Sequence, residues 1–368
     1  MTAPPKPITP AEVVFAEATP RQRVLSWELN GVSWAPPMSI AQYVGRETTL
    51  SETALSAGGG TRYCILHPRD DPETIVSACE VTRKKGLVAD GEGGVKEVEG
   101  YAIASVFTNP VYRAQGMAGY LLQKVQEMVD ETAEFGALYS DIGRDYYTRL
   151  GWKDFRSAQV LFTTTNGKGE ELAFPSVEGA VELIGEGEAA ALCEKDVAAL
   201  TARLGRERDG GATRIAFLPT PEQFRWHFAR DQYVCQTLVG REVVRRGART
   251  ADGAAWILWD HDLREKKLKV LRVVAGEGDA EGKRRGDVRA LLLAALAEAK
   301  DWGLHKVLVW APTAEQTAVV GELWRELGPQ VQVALEERED GSIPSLRWRG
   351  GKALDGVVWE DNEYYAWC

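Results

Sequence analysis

The sequence predicts a mixed α/β (α+β) protein: a largely antiparallel sheet flanked by helices in an N-terminal domain, followed by a second α/β domain. Three observations carry this. The 368 residues leave room for two domains at roughly 100 to 200 residues each. β-rich runs alternate with stretches whose apolar residues recur every three or four positions. Nine of the twelve tryptophans follow residue 220, which gives the second half an aromatic core of its own.

Residues 1–10 hold four prolines and read as an irregular leader before a short strand at Val13 to Ala16. Helices are predicted around Arg21 to Asn30 and Ser39 to Leu55, closed by Gly58, Gly59 and Gly60. Three β-rich runs follow, Thr61 to His67, Thr74 to Thr82 and Val95 to Thr108, separated by polar Pro- and Gly-bearing turns as in a meander. The period then changes. Ala118, Leu121, Leu122, Val125, Met128 and Val129 fall on one face of a helix, with Gln123, Lys124, Gln126 and Glu127 on the other. Gly136 stops it, and a strand (Ala137 to Asp141), a helix (Arg144 to Leu150) and a strand (Ser157 to Thr164) complete the half.

Asn166 to Glu170, with Pro175 and Gly179, reads as a linker between domains at 1–168 and 176–368. Helices are predicted beyond it at Glu188 to Leu204, Pro221 to Arg230, Asp287 to Trp302 and Ala314 to Leu327, with strands at Ala254 to Trp259, Leu268 to Val274 and Lys306 to Trp310. The strand, strand, helix, strand, helix, strand order echoes the first half. That is the pattern of a duplicated architecture, although no sequence repeat accompanies it.

The 44 Lys plus Arg against 54 Asp plus Glu give a net charge of −10. A duplex-binding surface needs the opposite excess, so nucleic acid is not an expected partner. No window approaches about 18 consecutive apolar residues and the start lacks the pattern of a signal peptide, so neither a membrane nor secretion is expected, and a cytoplasmic location is. Cys64, Cys79, Cys193, Cys235 and Cys368 are an odd number at wide spacings, which implies reduced thiols. The four histidines form no cluster, so no metal is expected. The oligomeric state is not legible.

The informative stretch is AIASVFTNPVYRAQGMAG, Ala102 to Gly119, where a strand turns directly into the amphipathic helix. A helix N-terminus offers unpaired N–H groups and about half a positive charge to an anion. Gly116 and Gly119, with small Ala114 and Ala118, let a phosphate approach the backbone, so the turn reads as a pyrophosphate cradle. Neither a P-loop nor a dinucleotide fingerprint is present, which disfavours ATP and NAD.

Arg113, Gly116 and Ala118 resemble the Arg/Gln-x-x-Gly-x-Gly/Ala signature of the GNAT acyltransferase superfamily, and Tyr147, Gly151 and Trp152 resemble its closing Tyr-x-x-x-Gly-aromatic element. The resemblance covers residues 11 to about 165. More narrowly, FTNPVYRAQGMAG and LYSDIGRDYYTRLGW, together with a large second domain, resemble the fungal lysine N6-acetyltransferase family. A GNAT fold is implied for the first half and a degenerate copy without a functional coenzyme A cradle for the second. Acetyl-coenzyme A is the implied co-substrate, its pyrophosphate on Arg113, Ala114, Gln115, Gly116, Met117, Ala118 and Gly119 and its pantetheine arm along the backbone of Val106, Phe107 and Thr108. The implied reaction is direct attack of an amine on the thioester in a ternary complex.

The departing thiolate needs a proton, and the resemblance places Tyr147 as general acid while Tyr146 packs. The ammonium must lose one. Some relatives carry a glutamate where this chain has Ala102; Glu80, the charge interrupting the uncharged run Ile75 to Thr82, is the substitute base. Its alternative reading is a solvated residue on a sheet face. Asp141 is another candidate and equally a helix cap before Arg144. The aromatic end, Trp359 to Cys368, reads as a core strand, with the terminal carboxylate as an alternative base. Arg83, Lys84 and Lys85 read as a solvated basic turn, or as a contact to the 3′-phosphate of coenzyme A.

The segment GVSWAPPMSIAQY offers Trp34, Met38 and Tyr43 as the wall of an acceptor groove for an aliphatic amine, or as ordinary core. The expected acceptor is a small-molecule primary amine, most specifically the side-chain amine of free lysine. The rival readings are a protein or peptide N-acetyltransferase and a coenzyme A-binding module without catalysis.

Overall fold

The computed structural model describes residues 7–164, 174–206, 211–276, 281–351 and 353–367. The first half runs β1 (Val13–Glu17), α1 (Pro20–Trp34), α2 (Ile40–Ser51), β2 (Thr61–Pro68), β3 (Ser77–Ala89) and β4 (Val95–Thr108). It continues through α3 (Met117–Val129), β5 (Phe135–Ser140), α4 (Asp145–Thr148), β6 (Lys153–Asp154) and β7 (Ala158–Thr164). The second begins with β8 (Val181–Ile184), α5 (Glu186–Arg206), β9 (Thr213–Phe217), α6 (Pro221–Val239), β10 (Gly247–Thr250), β11 (Trp256–Asp262) and β12 (Lys267–Val274). It ends with α7 (Glu281–Asp301), β13 (Lys306–Trp310), α8 (Ala314–Leu327), β14 (Val331–Glu337), β15 (Ile343–Trp348) and β16 (Val357–Trp359).

Local chemistry sets the helix starts. Thr19, Ser39 and Thr313 each accept from the backbone N–H three residues on, and Gln22, Gln42 and Gln316 reach back in turn, which closes a capping box on α1, α2 and α8. Thr220 caps α6 and Pro221 fills its first position. α3 buries Met117, Leu121, Leu122, Val125 and Val129 on the first sheet, the stripe the period predicts.

Two sheets result. The first has the order β1-β2-β3-β4-β5-β15-β6, with β9 paired to the far end of β3 and β16 to β9. The second has the order β14-β7-β13-β12-β11-β10-β8. In each sheet one parallel pair, β4 with β5 and β12 with β13, is joined by a long helix, α3 or α7. The duplicated architecture is therefore visible as topology.

The expected division at 168 to 176 does not separate the sheets. β7, from the first half, lies between β13 and β14 of the second sheet. β15, from the second half, lies between β5 and β6 of the first. A boundary read from composition sees chain segments and misses strands that cross. The linker Asn166 to Glu170 itself lies outside the described residues.

The aromatic end is buried, as its composition requires, but strand pairing stops at Trp359 and Tyr364–Ala366 form a single 3₁₀ turn. Tyr365 Oη donates to Phe217 O at 2.8 Å, Lys84 Nζ donates to Ala366 O at 2.7 Å, and Glu363 accepts from Arg272 at 2.7 Å and from Val273 N at 2.9 Å. Cys368, whose carboxylate was the alternative base, lies outside the described residues.

Candidate active site

The first sheet opens where β4 and β5 part. Their parallel pairing runs from Gly100 opposite Phe135 to Ile103 opposite Leu138 and ends there. Beyond it β4 continues along β3 alone, and its register slips between Ala78 and Glu80, where Ser105 takes φ +53°. The slip turns Ala104 to Thr108 toward a groove of about 610 Å³.

α3 starts at the end of that groove. Gly116 is its N-cap with φ +78°, no side chain caps the first turn, and a Cβ built on Gly116 would meet nothing within 4 Å. The glycine is there for its backbone conformation, and the open side faces where an anion would sit on uncapped N–H groups. A pyrophosphate fits this end, and an extended pantetheine arm fits the unpaired edge of β4.

Val106, Phe107, Thr108, Arg113, Ala114, Gly116, Met117 and Ala118 line the groove. Met117 offers only its backbone, because its side chain is in the core at 1% exposure. Gln115 and Gly119 are outside the lining. Gln115 Oε1 instead accepts from Ile8 N at 2.7 Å, tying down the N-terminal segment. Gly119 leaves room for Tyr146, whose hydroxyl would stand 3.9 Å from an added Cβ.

Tyr146 and Tyr147 meet edge to face at 5.2 Å and both line the groove. Tyr147 is the more buried, in the cluster with Met117, Leu121 and Trp152. Burial raises its pKa first, with Tyr146, Asp141 and Cys79 adding to the rise. Its hydroxyl makes no hydrogen bond among the described residues. It is a protonated, unpartnered donor at the wall of the groove.

Glu80 lies on β3 opposite Ala104, at the register slip. It is not a solvated charge on a sheet face. Its carboxylate accepts the Trp27 indole N–H at 3.2 Å. Burial, and then the charge of Glu47, push its pKa up to about 8 against the opposing pull of the Trp27 hydrogen bond and Arg46. Ala102 pairs with Thr82 deeper in the sheet, so Glu80 stands two positions nearer the opening than that pair.

Glu80 faces a second cavity, of about 410 Å³, which shares Trp34, Ile103, Ala104, Ser105, Tyr139 and Asp141 with the groove. Trp34, Met38 and Tyr43 wall it, and Trp34 packs edge-on against Phe107 at 5.6 Å where the two spaces meet. Asp141 caps no helix: it accepts from Ser342 N at 2.8 Å, holding the entry to β15, and the N-cap of α4 is Arg144.

The sequence reading missed the other wall. Arg46 and Glu47 form a buried ion pair on α2, with Arg46 Nε 2.9 Å from Glu47 Oε1. Tyr43, Arg46, Glu47 and Leu50 share an i, i+3, i+4, i+7 face, so two charges on a face that ought to be apolar were a usable signal. The second half supplies Trp226, Arg230, Val234 and Leu238 from α6, His261 and Asp262 from β11, Lys269 from β12, and Tyr364 and Trp367 from the end of the chain. No local pattern announces these.

The basic run is neither a turn nor free. Arg83, Lys84 and Lys85 lie inside β3, where Arg83 pairs with Glu99 at 3.6 Å, Lys85 with Glu97 at 3.1 Å, and Lys84 is buried against Ala366. Lys283, Arg284 and Arg285 lie within α7 and bond to Asp287, Glu315 and Glu322.

A model of the LYC1 GNAT-like C-terminal domain matches residues 168–368, more than half of the chain. The chain belongs to this GNAT family. Solved GNAT structures share its fold. A GCN5-related N-acetyltransferase from Anabaena variabilis aligns with TM-score 0.56 at 12% identity over 92% of this chain and 73% of its own. The tandem GNAT protein from the clavulanic acid biosynthesis pathway aligns with TM-score 0.51 at 13% identity over 93% of this chain and all of its own. An uncharacterized protein of Saccharomyces cerevisiae is 22% identical over 92% of this chain and 93% of its own length. Acyl transfer is the reaction class that GNAT membership indicates, with an acyl-coenzyme A as the general donor of the superfamily. Among the described residues, no helix of this GNAT protein is long and apolar enough to cross a membrane.

Proposed function

We propose that this GNAT protein transfers acetyl from acetyl-coenzyme A to the primary amine of a small molecule, specifically the side-chain amine of free lysine, in a ternary complex. One observation carries the reading: the cavity that Glu80 lines shares Trp34, Ala104, Ser105 and Asp141 with the groove and is walled on its far side by the second half. A peptide acceptor needs a long open trough, and the wall that the second half builds across this space favours a small ligand instead. Its acidic residues suit a cationic amine.

In this reading Glu80 takes the proton from the ammonium, and the freed amine attacks the thioester carbonyl carbon. The C–N bond forms while negative charge gathers on the oxygen, which the backbone N–H near Val106 receives. The C–S bond then breaks, Tyr147 Oη gives its proton to the thiolate, and the nitrogen, now an amide, loses its extra proton to return the tyrosinate to its neutral form. A pKa near 8 places Glu80 between the ordinary carboxylate and the amine, which suits proton exchange between them. Val106, Phe107 and Thr108 would hold the pantetheine arm, and Arg113 to Ala118 the pyrophosphate.

The test is thiol release from acetyl-coenzyme A across a panel of free amines and a lysine-bearing peptide, with mass spectrometry of the products. Lysine-dependent release giving N6-acetyl-lysine supports the proposal. Acetylation of the peptide in preference to free lysine, or cofactor binding without turnover of any amine, overturns it.

A further inference from the structure

Helix α6 presents four cavity-lining residues at a spacing of four, Trp226, Arg230, Val234 and Leu238, of which three are apolar and one is charged. A guanidinium in an apolar stripe needs a partner. Arg230 has none among the described residues: it makes no hydrogen bond and no ion pair, and its side chain rests on the Trp367 ring at 5.6 Å. The neighbouring acids face other cations, Asp262 at the longest distance among them. Glu47 is paired with Arg46. Lys269 lies 3.1 Å from Asp260 and 3.7 Å from Asp262. Asp260, Asp262 and Glu47 act on Arg230 through their fields without reaching it.

We infer that Arg230 is the receptor for the carboxylate of an amino-acid acceptor, and that Asp262, which lines the same cavity, receives its α-ammonium. The inference rests on the proposal that the acceptor is a free amine. An α-amino acid brings one charge of each sign, so it satisfies the guanidinium without leaving a net charge in the cavity. A planar fork over a carboxylate is the bidentate geometry that arginine favours. Arg230 belongs to the second half, whereas Glu80 and the groove belong to the first. The second half thus supplies the end of the site that selects the acceptor, and a peptide-bound lysine, with no free carboxylate, is refused.

The experiment compares lysine with cadaverine, which is lysine without its carboxylate, and with 6-aminohexanoate, which lacks the α-amine. Each is assayed with the wild-type chain, Arg230→Ala, Arg230→Lys and Asp262→Asn, and a thermal melt reports folding. The wild type should prefer lysine over cadaverine by about 100-fold in kcat/KM, because a site built for a polar group rejects the analogue lacking it. Arg230→Ala should collapse that ratio to less than tenfold, chiefly through KM for lysine, and Arg230→Lys should restore part of it. Asp262→Asn should shrink the preference for lysine over 6-aminohexanoate and not the preference over cadaverine. An equal fall for lysine and cadaverine in Arg230→Ala, with or without a lowered melting temperature, overturns the inference and leaves the amine acceptor standing. Absence of turnover with every amine in the wild type overturns both.

Discussion

The indole N–H of Trp27 on α1 donates to the carboxylate of Glu80 on β3 at 3.2 Å, at the wall of the second cavity. The contact holds a buried carboxyl in one orientation while burial and Glu47 keep its pKa near 8. Two pH dependences follow from the sign of that shift. A base is inactive while protonated, so kcat/KM should rise with pH to an inflection near 8 and level above it. Glu80→Gln should remove the inflection and lower kcat/KM at pH 8 by on the order of 100-fold. The neutral form is favoured in the folded state, so the stability contribution is full below the ordinary value of 4.5 and is lost as pH rises toward about 8. Melting curves at both ends of that window check this: Glu80→Gln should gain on the wild type as pH rises. A profile that keeps its inflection in the variant assigns the base elsewhere.

Tyr147 is predicted to act through its hydroxyl alone, because the ring is already fixed in the core and the hydroxyl has no protein partner among the described residues. Tyr147→Phe should lower kcat by about 100-fold with the KM for acetyl-coenzyme A within a few-fold of wild type. Tyr146→Phe should change kcat by no more than a few-fold, since that ring lies over Gly119. Full turnover by Tyr147→Phe, read as thiol release, would exclude it as the acid.

Gly116 and Gly119 sit three residues apart and should answer differently to alanine. Gly116 has φ +78°, where a Cβ costs about 1 kcal/mol or more and projects into the space proposed for the pyrophosphate. Gly116→Ala should raise the KM for acetyl-coenzyme A at least tenfold with kcat little changed. A Cβ on Gly119 would meet Tyr146 only at 3.9 Å, an ordinary contact, so Gly119→Ala should leave both constants near wild type. Steady-state kinetics with varied acetyl-coenzyme A read the difference, and equal effects at the two sites would contradict the cradle.

What the sequence made legible was local. Period placed α3 and α8 and the start of α6, which runs on to Val239 and not to Arg230, and the turn ahead of α3 named the cradle because glycine, small residues and a helix start lie within a few positions of one another. Glu80 stood out as a charge in an apolar run, although its pairing with Trp27 spans 53 positions and has no sequence signature. Arg230, Asp262 and Lys269 were invisible for the same reason: each is an ordinary charged residue until β11, β12 and α6 are laid against α2. The tail was readable as buried from its aromatics. Its 3₁₀ turn, held by contacts to Phe217 and to Arg272 and Val273 of β12, was not.

Strand exchange interlocks the two halves, with β7 in the second sheet and β15 in the first. Without β15, the β5 edge from Phe135 to Ser140 loses its antiparallel partner on one side, and five of its six residues are buried. An apolar edge of that kind pairs with other chains and aggregates. The second sheet without β7 is split between β13 and β14. Fragments 1–168 and 176–368 expressed separately should therefore be insoluble or melt without cooperativity, while co-expression should give a complex that purifies together. Within the intact chain, Leu346→Ala on β15 should cost about 2 to 5 kcal/mol, because the side chain is fully buried between the halves. A cooperative melt and acetyl-coenzyme A binding by fragment 1–168 alone would show that β15 covers a finished domain and does not complete one.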